Sequence, residues 1–321
     1  MSEEGNVAVA AQRGELEIAR DSQRVAVVQI GGGLRTYEVA GIPVLDGFPA
    51  DQRPTSGRGQ VLAPWPNRIE NGSYVFDGKV LQLPLTEPEH GNAIHGLVRG
   101  AEWNVVDLDS DRVVLDYVLE PQPGYPFTLG LSIEYALSDR GLTVQTTAWN
   151  LGKERCPYGS GQHPYITLGT PTIDRLRLQV PAHDVLLPDE RGLPVRSESV
   201  DGTEYDFRAA RKIGATVLDN CFTGLVRAVD GSGRARVLLD DPDSGGGVTL
   251  WVDEGYAYLM VFSGDPLPDV ARRSLAVEPM TCPPNAFRTH DSLIVLEPGD
   301  STASTWGIEP RLAELEAQDV H

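Results

Sequence analysis

Residues 103–149, WNVVDLDSDRVVLDYVLEPQPGYPFTLGLSIEYALSDRGLTVQTTAW, hold four apolar runs broken by turn-forming residues. Trp103 to Leu108, Arg112 to Leu119, Thr128 to Leu137 and Leu142 to Trp149 read as strands. Successive side chains of a strand point to opposite faces, so a period of two, not 3.6, marks them. The breaks are Asp109-Ser110-Asp111, the Pro/Gly cluster from Pro121 to Pro126, and Ser138-Asp139-Arg140-Gly141. Asp, Ser, Gly and Pro favour tight reversals, and links this short join antiparallel neighbours. The stretch predicts a meander.

The same pattern continues on both sides. Tyr74-Val75-Phe76 and Val80-Leu81-Gln82-Leu83 flank Asp77-Gly78-Lys79, and Asp-Gly between apolar runs is a hairpin signal. A second strand-rich stretch runs from Arg234 to Pro298, with Gly245-Gly246-Gly247 as a turn. Gly31-Gly32-Gly33 precedes no helical pattern, so it reads as a strand turn and not as a phosphate-cradling loop. The one persuasive helical pattern is Arg311 to Asp319, after Pro310. Strands do not alternate with long amphipathic helices, which disfavours a βαβ fold. The expectation is an all-β protein, a large antiparallel β-sandwich with few short helices. It should form a single domain over 13–321, preceded by a loose segment at 1–12.

Composition narrows the function classes. Among 321 residues there are 46 Asp+Glu against 27 Lys+Arg, a formal charge of −19, and no basic run. Nucleic acid is therefore not an expected partner. No window approaches the roughly 18 apolar residues of a membrane span. Met1-Ser2-Glu3-Glu4-Gly5 lacks the basic start of a secretory signal. Cys156, Cys221 and Cys282 form no CxxC pair, so neither a disulfide framework nor a cysteine zinc site is suggested. A cytoplasmic protein with reduced thiols is the economical expectation.

Chemistry concentrates in a few glycine- and proline-marked strings. His95 lies in Gly91-Asn92-Ala93-Ile94-His95-Gly96-Leu97-Val98-Arg99, and His163 in Gly159-Ser160-Gly161-Gln162-His163-Pro164-Tyr165-Ile166. Glycine lets the backbone approach a ligand closely, and histidine titrates near neutrality. Either histidine alone reads equally as a strand-end residue satisfying backbone groups. With the two 68 positions apart and no HxxxH pair, no metal site is expected. Glu278, in Leu275-Ala276-Val277-Glu278-Pro279, closes an apolar strand, where burial would raise its pKa and make it a usable general base. The competing reading pairs it with Arg68, Arg272 or Arg273. Ala63-Pro64-Trp65-Pro66-Asn67-Arg68-Ile69 offers directional donors beside an indole face, a combination suited to a sugar ring. Asp219, in Leu218-Asp219-Asn220-Cys221-Phe222, is either a polyol acceptor or a turn cap.

These strings, in this order from Gln60 to Phe287, resemble the aldose 1-epimerase (mutarotase) family. The resemblance implies a galactose mutarotase-like β-sandwich that binds a monosaccharide and interconverts its α and β anomers. It implies Glu278 as the base at the anomeric hydroxyl and His163 as the acid at the ring oxygen. His95 is implied as a second donor there, with Arg68, Asn67 and Asp219 as hydroxyl ligands and Gln162 and Tyr165 lining the pocket. Ring opening, rotation and reclosure move protons only, so no metal or organic cofactor is required. Oligomeric state is not indicated. Some relatives act on hexose 6-phosphates. Arg99 is the one cation near His95 that would serve a phosphate, and the expectation therefore favours a free aldohexose such as glucose or galactose. Two alternatives remain: a non-catalytic sugar-binding module, and a glycoside hydrolase pairing Glu278 with Asp219, which would leave the histidines without a role.

Overall fold

The computed structural model describes residues 14–268 and 270–311. The expected loose segment at 1–12 and the expected helix lie outside these residues, except Arg311, which ends the strand Ser301–Arg311.

The meander folds as its pattern predicts. Asn104–Leu108, Arg112–Leu119, Leu129–Ser138 and Gly141–Asn150 pair antiparallel in sequence order. Along the third strand Leu129, Leu131, Ile133, Tyr135 and Leu137 are buried, while Ser132, Glu134 and Ala136 are half-buried. That alternation fixes the register, since a slip of one residue would turn the apolar set to water. The hairpin of Ser73–Phe76 and Lys79–Gln82 closes through Asp77 (φ 46°) and Gly78 (φ 75°). Two left-handed residues are what a two-residue turn matched to the strand twist requires. Lys79 thus begins the second strand and is not part of the turn.

Beyond Gly141–Asn150 the sheet continues through Ser301–Arg311, Gly247–Val252, Ala235–Asp240, Arg177–Gln179 and Arg211–Lys212, nine strands in all. A second, eight-stranded sheet runs Pro194–Ser199, Ala182–Pro188, Asp219–Leu225, Tyr258–Phe262, Leu275–Met280, Gly161–Gln162 and Val61–Leu62, with Tyr165–Ile166 also on Leu275–Met280. One buried apolar cluster draws on both sheets, from Ile18 to Ile308. Covering a core from two sides in this way is the sandwich solution to burying a sheet face.

Three side chains tie the layers together. The Gln162 amide donates to the Tyr135 hydroxyl (2.7 Å), and Gln162 Oε1 accepts from the Trp306 indole (2.7 Å). Tyr135 in turn donates to the carbonyl of Gly32 (2.7 Å), inside the glycine run, which lies between strands as expected. Buried polar groups cost about 1–3 kcal/mol each when left unpaired, so Gln162 is structural cement for two aromatic residues.

The described residues contain one helix, Ala286–Thr289. It follows Pro283-Pro284, inside the stretch expected to be strand-rich. None of them forms a helix long and apolar enough to cross a membrane.

Candidate active site

Every residue of Leu275–Met280 is buried, and strands flank it on both sides. Glu278 is thereby held at 2% exposure opposite Met260. No arginine among the described residues forms an ion pair with it. Arg68 binds Glu87, Arg272 binds Asp174 and Asp265, and Arg273 binds Asp46. The ion-pair reading of Glu278 is thus not met.

His163 sits between Gly161–Gln162 and Tyr165–Ile166, two short strands that both pair with the strand of Glu278. Its Nε2 lies 3.2 Å from Glu278 Oε1. Among the described residues, neither His163 Nδ1 nor Glu278 Oε2 has a partner. The His163 ring is nearly parallel to that of Tyr165 (centroids 4.9 Å, 8°) and meets His95 edge to face at 5.5 Å.

His95 is fixed through the backbone. Its Nδ1 accepts from the Asn67 N–H (3.2 Å), and its own N–H donates to the Asn67 carbonyl (2.9 Å). Both residues have left-handed backbones, Asn67 at φ 54° and His95 at φ 62°. An occupied Nδ1 acceptor assigns the proton of neutral His95 to Nε2, making that nitrogen a donor. Asn67 Oδ1 is taken by the Arg68 N–H (2.9 Å), so its amide nitrogen is the group left for a ligand. Arg68 grips Glu87 with two nitrogens, at 2.9 Å and 3.0 Å, and Asn92 donates to the same carboxylate. Burial opposes both charges, but this contact outweighs it, raising Arg68 and lowering Glu87. Asn285, farther along the chain from Glu278, braces the arginine: its N–H donates to the Arg68 carbonyl, and its Oδ1 accepts from Glu70 N–H.

Glu278, His163, His95, Arg68, Asn67, Asp219 and Tyr165 all line one cavity of about 610 Å³. Gln162 does not. Its amide faces Tyr135 and Trp306 in the core, because side chains alternate along the chain and His163 takes the cavity side. Asp219 is open to the cavity yet surrounded by protein elsewhere; burial raises its pKa, opposed by Arg68 and helped by Glu87. Glu87, Arg99, Met260 and Phe262 also line the cavity. Met260 and Phe262 follow from the period-two pattern of their strand. Glu87 carries no such signal, since its role depends on where Arg68 folds.

Burial dominates the electrostatics. It pushes the Glu278 carboxyl well above the usual range, with the Asp219 charge adding and Arg68 opposing. It pushes His163 down to about 3, with Arg58 and Arg99 adding to the effect. His95 also lies well below its ordinary value, through burial and then the charges of His163, Arg99 and Arg68. Both imidazoles are neutral near pH 7, and burial biases the carboxyl toward its protonated form. Donor atoms of His95, His163 and Glu278 lie within 4.8 Å of one another, compact enough for a small cation. The nearby guanidiniums of Arg68 and Arg99 oppose one, and the arrangement suits proton transfer instead.

The aldose 1-epimerase family profile matches residues 15–309, nearly the whole described chain. The chain belongs to this family of isomerases. It is 34% identical over 285 residues to YihR of Escherichia coli K12, an uncharacterized protein, covering 88% of this chain and 89% of that one. The aldose 1-epimerase of the same organism is 32% identical over 169 residues, half of this chain and 47% of the enzyme. Among solved structures, a GalM/aldose epimerase homologue from C. elegans superposes with a TM-score of 0.84 at 20% identity, covering 94% and 99% of the two chains. A putative aldose 1-epimerase from Escherichia coli K12 gives 0.80 at 23%, covering 93% and 99%. These structures share the all-β mutarotase-like fold.

Proposed function

We propose that the protein interconverts the α and β anomers of a free aldohexose such as glucose or galactose, with 13–321 acting as one catalytic domain. The 3.2 Å contact between His163 Nε2 and Glu278 Oε1 on a cavity wall carries this reading. Glu278 takes the proton of the anomeric hydroxyl while His163 gives one to the ring oxygen. The C1–O5 bond breaks, C1 becomes an aldehyde, and rotation about C1–C2 presents its other face. Closure reverses both transfers.

The pair needs one movable proton between its two members. Carboxylate with imidazolium, and carboxyl with neutral imidazole, hold that same proton. The second arrangement is the one burial favours, and it is also what remains when the ring is open. Desolvation therefore pulls in the direction of ring opening. His95 Nε2–H supports the departing ring oxygen, and Arg68, the Asn67 amide and Asp219 hold hydroxyl groups. Each proton transfer typically contributes about 10²–10⁴-fold, and none needs a redox partner or a cofactor. A sugar-binding module would gain nothing from an acid and a base buried side by side, and a glycoside hydrolase would leave the histidines idle. The free thiols of Cys156, Cys221 and Cys282 are in keeping with a cytoplasmic setting.

The coupled pair sets the pH dependence. Activity falls on the acid side only when His163, at about 3 with Glu278 protonated, takes the second proton. It falls on the alkaline side when the raised carboxyl loses the last one. We expect kcat/KM to show no inflection near 6.5, the value of an ordinary histidine. A single titration at 6.5 would contradict this pairing.

Polarimetry of freshly dissolved α-glucose and α-galactose tests the activity itself. Acceleration over buffer supports the proposal, and rates equal to buffer for both sugars refute the neutral-hexose form. A second reading has one observation in its favour. Arg99 lines the cavity with no carboxylate partner among the described residues, bonded only to the Ile94 carbonyl at 3.2 Å. Burial lowers its pKa, so the charge is held at a cost, and an anionic substituent on the hexose would offset that cost. A hexose 6-phosphate in the same panel separates the two readings.

A further inference from the structure

The segment Ser56-Gly57-Arg58-Gly59-Gln60 has no motif status in the sequence, yet it encloses His163 on several sides. Gly59 N–H donates to the His163 carbonyl (2.9 Å), and His163 N–H donates to the Gln60 carbonyl (3.1 Å). Gly57, at φ +77°, packs so closely that a Cβ there would lie 2.8 Å from His163 Nε2. The Tyr165 hydroxyl donates to the Ser56 carbonyl (2.8 Å), which pins the ring stacked on the imidazole. The Arg58 guanidinium lies 4.5 Å from the centroid of that same ring. Guanidinium, phenol and imidazole thus form one linked column.

Arg58 is almost wholly buried, and it does not line the sugar cavity. Its NH2 meets Asp46 at 3.3 Å, while Asp46 also holds Arg273 (2.7 Å) and the Ser274 hydroxyl (2.7 Å). Arg273 and Ser274 lead directly into Leu275–Met280, the strand of Glu278. One ionic cluster therefore fixes both the column ending at His163 and the entry to the strand that carries its partner.

We propose that Arg58 is a positioning residue for the acid–base pair: acting through the Tyr165 ring, it holds the His163 imidazole against Glu278. The inference rests on the mutarotase reading for its kinetic consequence, but its structural part is independent of substrate. A buried cation stacked on an aromatic ring locks the ring's plane, and a ring stacked at 8° transmits that lock to the imidazole. The groups facing His163 are Glu278 from its strand, His95 and Arg99 from the segment after Asn92–Ile94, Tyr165 beyond Pro164, and Arg58 through Tyr165. Arg58 is the one whose charge reaches His163 from behind the cavity.

The test compares Arg58→Gln, Arg58→Lys and Tyr165→Leu with wild type by kcat, KM, melting temperature and NMR of labelled histidine. Misplacing a reacting group by about 1 Å costs up to about 100-fold, so Arg58→Gln should lower kcat by about 10- to 100-fold with KM nearly unchanged. Its His163 signal should titrate at higher pH than in wild type, because a cation that disfavours the imidazolium is gone. Arg58→Lys should keep the low titration and recover part of kcat. Should Arg58→Gln not fold, Tyr165→Leu, which keeps the Arg58–Asp46 pair, should show the same fall in kcat, with any change in KM following from the ring's own place on the cavity wall. An unchanged kcat with superimposable His163 titrations overturns the proposal, and so do kcat and KM changing together with a lowered melting temperature. If wild type is inactive on every sugar, the mutarotase reading fails, while the His163 titration still decides whether Arg58 controls this imidazole.

Discussion

Glu278→Gln should lower kcat by about 10²–10⁴-fold while leaving KM little changed, because it deletes a general base and almost no volume. Glutamine keeps the shape of the carboxyl and can still meet a sugar hydroxyl. It cannot accept a proton at the anomeric oxygen, so ring opening loses its first transfer. The same variant carries a stability signature. Burial raises the folded pKa of Glu278 well above 4.5, so ionisation is disfavoured in the native state. The stabilisation from its protonated form is complete below the unfolded pKa and is lost as pH rises toward the folded one. Glutamine has no such loss. The melting temperature of the variant, measured against wild type, should therefore gain with increasing pH above about 4.5. A fully active variant would remove Glu278 from the chemistry, and a constant melting difference would remove its buried ionisation.

His163→Ala should produce a loss of comparable size in kcat, again with sugar affinity largely kept. His95 should not replace His163, since the 3.2 Å contact with Glu278 is made by His163 and the Nδ1 of His95 is committed to the Asn67 N–H. The two single variants should also be strongly non-additive, because in the proposed mechanism acid and base act as one coupled pair. The double variant should be scarcely slower than either single one. Purely additive losses would mean that the two residues act in separate steps.

Much of the architecture was readable because β-sheets advertise themselves locally. Arg112–Leu119 has the limits its alternation indicates, and Asp77-Gly78 adopts the turn that its residue types demand. The helix Ala286–Thr289 was not readable, because four residues after two prolines carry no period. Within the site, Glu278, His163, His95, Asn67, Arg68, Asp219 and Tyr165 converge on one cavity. The strings quoted around them were distinctive for what glycine and proline permit. Gln162, which the resemblance implied as a pocket residue, turns into the core instead, because neighbours on an extended chain point to opposite sides and His163 takes the cavity side. Arg58 and Glu87 were invisible for a different reason. Their importance lies in what they touch across the fold, and a lone arginine or glutamate in a loop gives no sign of its partner.

The central claim is that Glu278 and His163 exchange protons with the hemiacetal of a free sugar. Exchange NMR on an equilibrium mixture of glucose or galactose anomers reads that event directly, without any coupled reaction. Magnetisation placed on the α anomeric proton should pass to the β anomeric proton when wild-type protein is present, and should not with Glu278→Gln. Exchange of equal rate with both proteins, or none with wild type on any reducing hexose, would contradict it.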